Sequence, residues 1–287
     1  MLKFKFLSLL SFSLLLCDED EGYVFELNLA NDFYMDMESV VEFSRGTFDY
    51  YMLMSAKMLH EFEKPNPSTG DISMVVSFEN VIASSRRNDE MKPNHDAQKL
   101  SGTSYLYTID SLGEVLSVVG TSELAQEVVE ESEEINWLFG ANTDGGNVKY
   151  FMGGDSDSLR RFGDVWMTSD TTYDLENTYG YDKFEGFSIN KTVYNFSKIK
   201  KKKGDIIAVV ESTTFFEISG IGSTWDTTSE FSQTGEFDGK VTFNVTKGYI
   251  MKNNVDGALI MKGKDLGDDR SWEAVVSVAL RQKGKLK

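Results

Sequence analysis

From residue 23 onward, apolar and polar positions alternate with a period of two. Val241, Phe243 and Val245 interleave with Thr242, Asn244 and Thr246; Tyr50, Met52, Met54, Ala56 and Met58 share one parity, and Ala274, Val276, Val278 and Leu280 share another. With β-branched and aromatic residues at the apolar positions, this pattern predicts antiparallel strands that have one buried and one wet face. Strands are expected near 23–30, 34–43, 47–60, 71–85, 102–110 and 114–119, and again near 164–170, 184–196, 205–218, 236–247, 249–262 and 272–282. Several exceed the usual length of roughly 5–6 residues, so long, curved hairpin strands are expected. Turn chemistry separates them: Asn66-Pro67-Ser68-Thr69-Gly70, Ser111-Leu112-Gly113, the run from Lys200 to Asp205, and Asn253-Asn254-Val255-Asp256-Gly257.

A helical period interrupts the alternation between Ser122 and Phe139. Leu124, Val128, Ile135 and Leu138 fall on one face, Thr121 or Ser122 can cap the start, and Glu123 and Glu127 suit the positive end of the helix dipole. Gly140 to Ser158 is rich in Gly, Asn and Asp and divides the chain into a first half-sheet with its helix, 23–145, and a second half-sheet, 146–287. The segments 105–120 and 241–257 echo each other as strand, glycine turn, strand. The expected fold is therefore mainly β: two similar halves of long curved antiparallel strands, half-barrel-like, with one packing α-helix at about 122–139.

Composition narrows the function more than the fold. A net charge of −17 over 287 residues argues against nucleic acid as a partner and disfavours an anionic membrane surface. The single cysteine rules out an internal disulfide, and with only two histidines the usual Cys and His zinc set cannot be assembled. No cofactor and no metal site are expected. Nucleophile-elbow, phosphate-loop, dinucleotide and His-Glu-x-x-His motifs are all missing from the sequence, so no catalytic residues are assigned and the chain reads as a non-enzyme. A carboxylate-pair hydrolase ranks last among the readings. His60 and His95 read as surface residues.

At the amino terminus, Lys3 and Lys5 precede an apolar run from Phe6 to Leu16, a signal-peptide pattern covering 1–17. Cys17 follows Leu14-Leu15-Leu16 as in a bacterial lipobox, although Leu16 is bulkier than the small residue that normally precedes the cysteine. Cys17 is the expected lipidation site. Asp18 to Glu21 resembles the acidic export tag of some surface lipoproteins and gives an acidic tether over 18–22.

Several segments together carry a resemblance. "TSYLYTIDSLGEVLSVVGTSEL" with the acidic helix after it, "FGDVWMTSDTT" containing Gly163-Asp164-Val165-Trp166, and "GKVTFNVTKGYIMKNNVDGALIM" resemble a family of bacterial envelope proteins of unknown function, many of them lipoproteins. The resemblance implies an envelope compartment and a fold similar to the half-barrel of lipoprotein carriers and other lipid-binding envelope proteins. It transfers no catalytic residue.

One residue set stands out as a candidate ligand lining. Met35 and Met37 share a strand face, as do Met52, Met54 and Met58, and Met74 joins them as a soft apolar surface suited to an acyl chain if that face is left uncovered. The expectation is an exported, lipid-anchored protein of the outer membrane or cell surface, otherwise periplasmic. It would bind a lipid or other hydrophobic molecule and meet the membrane through its anchor. A surface structural or adhesion protein without a cavity is the alternative.

Overall fold

The computed structural model describes residues 21–87, 90–110, 115–126, 152, 159–173, 183–224 and 227–287. Its strands are β1 (Phe33–Arg45), β2 (Phe48–Phe62), β3 (Ile72–Arg87), β4 (Glu90–Pro93), β5 (Ser104–Ile109), β6 (Val115–Gly120), β7 (Val165–Tyr173), β8 (Lys183–Lys202), β9 (Asp205–Ser223), β10 (Thr228–Asn244), β11 (Tyr249–Asp265) and β12 (Ser271–Leu286), with a short helix α1 (His95–Gln98). All twelve lie in one antiparallel sheet, in the order β6-β5-β3-β2-β1-β12-β11-β10-β9-β8-β7, with β4 beside the upper part of β3.

The two expected halves are thus the two wings of one sheet. They are joined where the ends of the fold meet: β1 pairs with β12 from Phe33↔Leu286 to Ser44↔Val275. Every other neighbouring pair follows in chain order, β3 and β5 being linked through β4 and α1, and among the described residues the edges of the main path are β6 and β7. The sheet is open and does not close into a barrel.

Strands of up to 20 residues make the sheet tall, roughly 60 Å along β8 at ~3.3 Å per residue. Tight turns set their registers. Gly46, at φ 62°, opens the two-residue turn between the paired Arg45 and Phe48, while Lys203 (φ 53°) and Gly204 (φ 90°) make a turn with both centres left-handed between Lys202 and Asp205. We call the end carrying Phe33, Leu286 and the Lys203-Gly204 turn the lower end, and the end carrying Gly46 the upper.

The register places one residue parity of every strand on an inner face. In the lower half that face is filled. Met37, Met54, Met58, Phe78, Tyr105, Tyr107, Phe196, Val210 and Phe243 belong to one buried cluster that runs from β5 to β9 and β10 and includes Trp166 of β7. The plug between the wings is the segment before β1, where Tyr23, Phe25 and Leu27 are buried. Phe25 stacks on Trp166 at 6.3 Å and meets Phe196 and Phe243 edge-on at 5.3 and 5.9 Å, so it bridges three strands.

Two expectations are corrected here. Residues 23–30 form no strand; they end in a turn at Leu29-Ala30 and make one bridge in which Tyr23 and Arg160 exchange two backbone hydrogen bonds of 2.8 Å. Their alternation is that of a chain buried on one side, and such a chain needs no ladder partner. Of the expected helix, residues 123–126 form a helical turn whose Ala125 N–H donates to Ser122 Oγ at 3.2 Å, and 127–139 lie outside the described residues. No helix among the described residues is long and apolar enough to cross a membrane.

Candidate functional site

The structure separates the methionine set into two environments. Met35, Met37, Met54, Met58 and Met74 are each at most 5% exposed and lie in the filled lower core; Met52, one rung above Met54, is half-buried. The same inner face continues upward from Met52, and among the described residues its rungs there are half-buried rather than buried.

Cross-strand register gives the rungs of that upper face. One runs Thr192, Thr214, Phe237, Gly257, Val278, Val41 and Met52 across β8, β9, β10, β11, β12, β1 and β2. The next runs Asn190, Phe216, Gly235, Leu259, Val276, Phe43 and Tyr50 over the same strands. Phe237, Phe216, Leu259, Val276, Phe43, Tyr50, Val41 and Met52 are all half-buried, in contrast to the core rungs below them. Above, Phe184, Ile218 and Phe231 form a small second cluster with Phe216, Met261 and Trp272.

Glycines keep this surface low. A Cβ on Gly257 would fall 2.3 Å from Phe237 Cδ1, and one on Gly263 would fall 2.4 Å from the Trp272 ring, so both aromatic rings lie flat across their cross-strand glycine. Arg45 holds Trp272 from the other side, its guanidinium carbon 4.4 Å from the ring centroid. The surface is broad, shallow and rich in aromatic faces.

Its polar groups sit on β8 and β9. Thr192 and Thr214 share a 2.9 Å hydroxyl hydrogen bond, and Asn190 Oδ1 is buried with no hydrogen-bond partner among the described residues. A depression of about 630 Å³ at the upper end is lined by residues of both parities of β9–β12, with Phe231 and Trp272 beside Glu230, Lys262 and Glu273. Its lining mixes polar and apolar groups, and Lys262 and Glu273 pair there at 3.2 Å.

His60, expected at the surface, is buried on the inner face in line with Met58 and Ala56. Its ring stacks on Phe33 at 4.4 Å, Nδ1 has no hydrogen-bond partner among the described residues, and burial pushes its pKa down to about 4. His95 is exposed, as expected.

The other candidate chemistry is plain. Asp205, Glu185 and Glu211 have lowered pKa values, each chiefly through a hydrogen bond to a lysine: Lys247, Lys183 and Lys240 respectively. The loop at Asp265–Asp269 is tied up internally, Asp265 Oδ1 accepting from Gly267 N–H at 2.7 Å and Asp269 pairing with Lys264 at 2.9 Å. Among the described residues, no three His, Cys, Asp or Glu side chains gather in a group able to hold a metal ion. Cys17 lies outside the described residues, as do Trp137 and Trp225; of the other two tryptophans, Trp166 is core and Trp272 lines the upper face. No known family model and no curated protein matches the chain.

Proposed function

We propose that the protein is an exported envelope protein, anchored through Cys17, that binds an apolar molecule such as an acyl chain on the upper inner face of its rolled sheet and catalyses no reaction. One observation carries this reading: the inner face stays apolar for several rungs above the filled core while remaining half-buried. A face needed only for packing would be covered, and one meant for water would be polar. The flat aromatic rings suit an extended hydrocarbon.

The ligand surface in this reading is Phe216, Phe237, Leu259, Met261 and Trp272 with Met52, rather than the whole methionine set. Native mass spectrometry with lipid extraction, on the chain expressed with its own amino terminus in a bacterium that processes lipoproteins, tests it. A co-purifying lipid and a saturable affinity for a fluorescent fatty acid are expected. Leu259→Asp with Met261→Asp weakens that affinity at least ~10-fold, because a charged group must then lose water against hydrocarbon. A chain that carries no lipid and takes up no fatty acid contradicts the reading.

A surface interaction protein is the second reading. It is favoured by edge strand β7, whose outward Val165 and Met167 are 65% and 55% exposed.

A further inference from the structure

The net charge of −17 hides a strongly basic end. Between 198 and 205, at the lower end, the chain carries five lysines and one aspartate, and that aspartate, Asp205, is occupied by Lys247 at 2.8 Å and by the Asn244 amide at 3.0 Å. Register sets more lysines beside the hairpin on the outer face. Lys252 of β11 stands directly opposite Lys283 of β12, and Lys285 follows one rung lower.

Lys200 to Lys203, Lys252, Lys283 and Lys285 are all exposed, and none makes an ion pair among the described residues. The acidic groups nearby are largely engaged. Asp32 and Glu61 both bond Lys287, at 3.7 and 2.6 Å, and Asp36 stands opposite Lys283 in the register; Glu26 also lies at this end. Two lysines opposite each other on neighbouring strands repel, as do four in a row at a turn whose Lys203 has a left-handed backbone. An external anion removes that cost.

The position of this end supplies the partner. Asn28 N–H donates to Gly248 O at 2.8 Å across the β10–β11 turn, so the segment leading into β1 passes the lower end, and Tyr23 before it meets Phe196 at 6.1 Å, roughly 20 Å up β8 from the lysine hairpin. Cys17 is six residues before Tyr23, a reach of at most ~20 Å for an extended chain.

We propose that the lower end, through Lys200–Lys203, Lys252, Lys283 and Lys285, seats on the anionic headgroups of a lipid bilayer. The rest of the molecule is acidic and is repelled by the same surface. Attraction at one end and repulsion elsewhere orient the roll upright, with the upper inner face pointing away from the membrane. The orientation rests on the anchor reading, whereas the binding of headgroups rests on the lysines alone.

The test uses the full chain with Cys17→Ser, so that no acyl anchor contributes, and flotation with vesicles of phosphatidylcholine alone or mixed with phosphatidylglycerol. The amino-terminal run with Lys3 and Lys5 is the same in every variant, so the hairpin lysines are read from the difference between variants on the anionic vesicles. Adding phosphatidylglycerol is expected to raise binding roughly 10-fold or more, and ~1 M salt, which shortens the screening length to ~3 Å, removes the rise. Changing Lys200, Lys201, Lys202 and Lys203 together to Gln abolishes most of the rise, and the same four changed to Arg keep it. A rise that is missing, or equal in the Gln variant, overturns the proposal. So does duplex DNA that displaces the vesicles at equal phosphate. Acylation of Cys17, scored separately by mass in the unmodified chain, can fail without altering this result.

Discussion

Phe196→Ala is expected to lower the free energy of unfolding by about 3–5 kcal/mol, the range for deleting a buried phenyl ring from a packed core. Phe196 is fully buried where the amino-terminal plug meets β8, its ring 5.3 Å from Phe25, 6.1 Å from Tyr23 and 6.2 Å from Phe162. Removing it leaves a cavity that three other rings cannot collapse into without losing their own contacts. Urea unfolding measures the change directly. Phe237→Ala is the matched control. That ring lies half-buried over Gly257 on the upper inner face, so its loss costs no more than ~1.5 kcal/mol. Equal losses in the two variants would mean that the upper face is as closed as the core.

Acidification through the range of His60 is expected to remove about 3 kcal/mol of stability. The sign follows from burial. Its folded pKa is lowered from 6.5 to about 4, so the unfolded chain takes up a proton at a pH where the folded chain still refuses it. The stabilisation is complete above pH ~6.5, falls as the pH drops, and is gone near pH ~4, with about 2 kcal/mol already lost between pH ~7 and ~4.5. His60→Phe preserves the stack on Phe33 and removes the titration, so its stability should stay nearly flat over that interval. A wild-type chain as flat as the variant would place His60 in contact with water. The lysine-bonded carboxylates Asp205, Glu185 and Glu211 titrate with the same sign at lower pH, and being exposed they add little.

Parity was the legible part of this fold. Alternation assigned nearly every inward residue, because one buried face leaves the same period-two trace whatever lies opposite. It located β10 through Val241 and Phe243 and β12 through Ala274 to Leu280. What lies opposite was not legible. Met35, Met37, Met54 and Met58 share one buried cluster with Tyr23, Phe25 and Leu27 and with residues of β3, β5, β8 and β10, and such a cluster links segments whose approach has no local signature. The same limit explains the reading of 23–30 as a strand: the alternation there is real, yet its burial comes from plugging the roll rather than from pairing.

The junction of the halves was hidden for a related reason. The loop-rich stretch from Gly140 to Ser158 marks a break along the chain, whereas β1 and β12 join the wings through residues more than two hundred positions apart. His60 is different, since its signal was present. It extends the parity of Met54, Ala56 and Met58, and only its polar chemistry argued for the surface. The lysine hairpin was read as a turn, and an overall charge averages away a local field that only the folded register assembles from β8, β11 and β12.

The most direct measurement is quenching of tryptophan fluorescence by a brominated fatty acid, compared between the unmodified chain and Trp272→Phe. Trp272 lies on the upper inner face beneath Arg45, whereas Trp166 is buried in the lower core. Saturable quenching that is largely lost in Trp272→Phe is the result expected if an acyl chain lies along that face. Quenching that is absent, or that persists unchanged without Trp272, would contradict it.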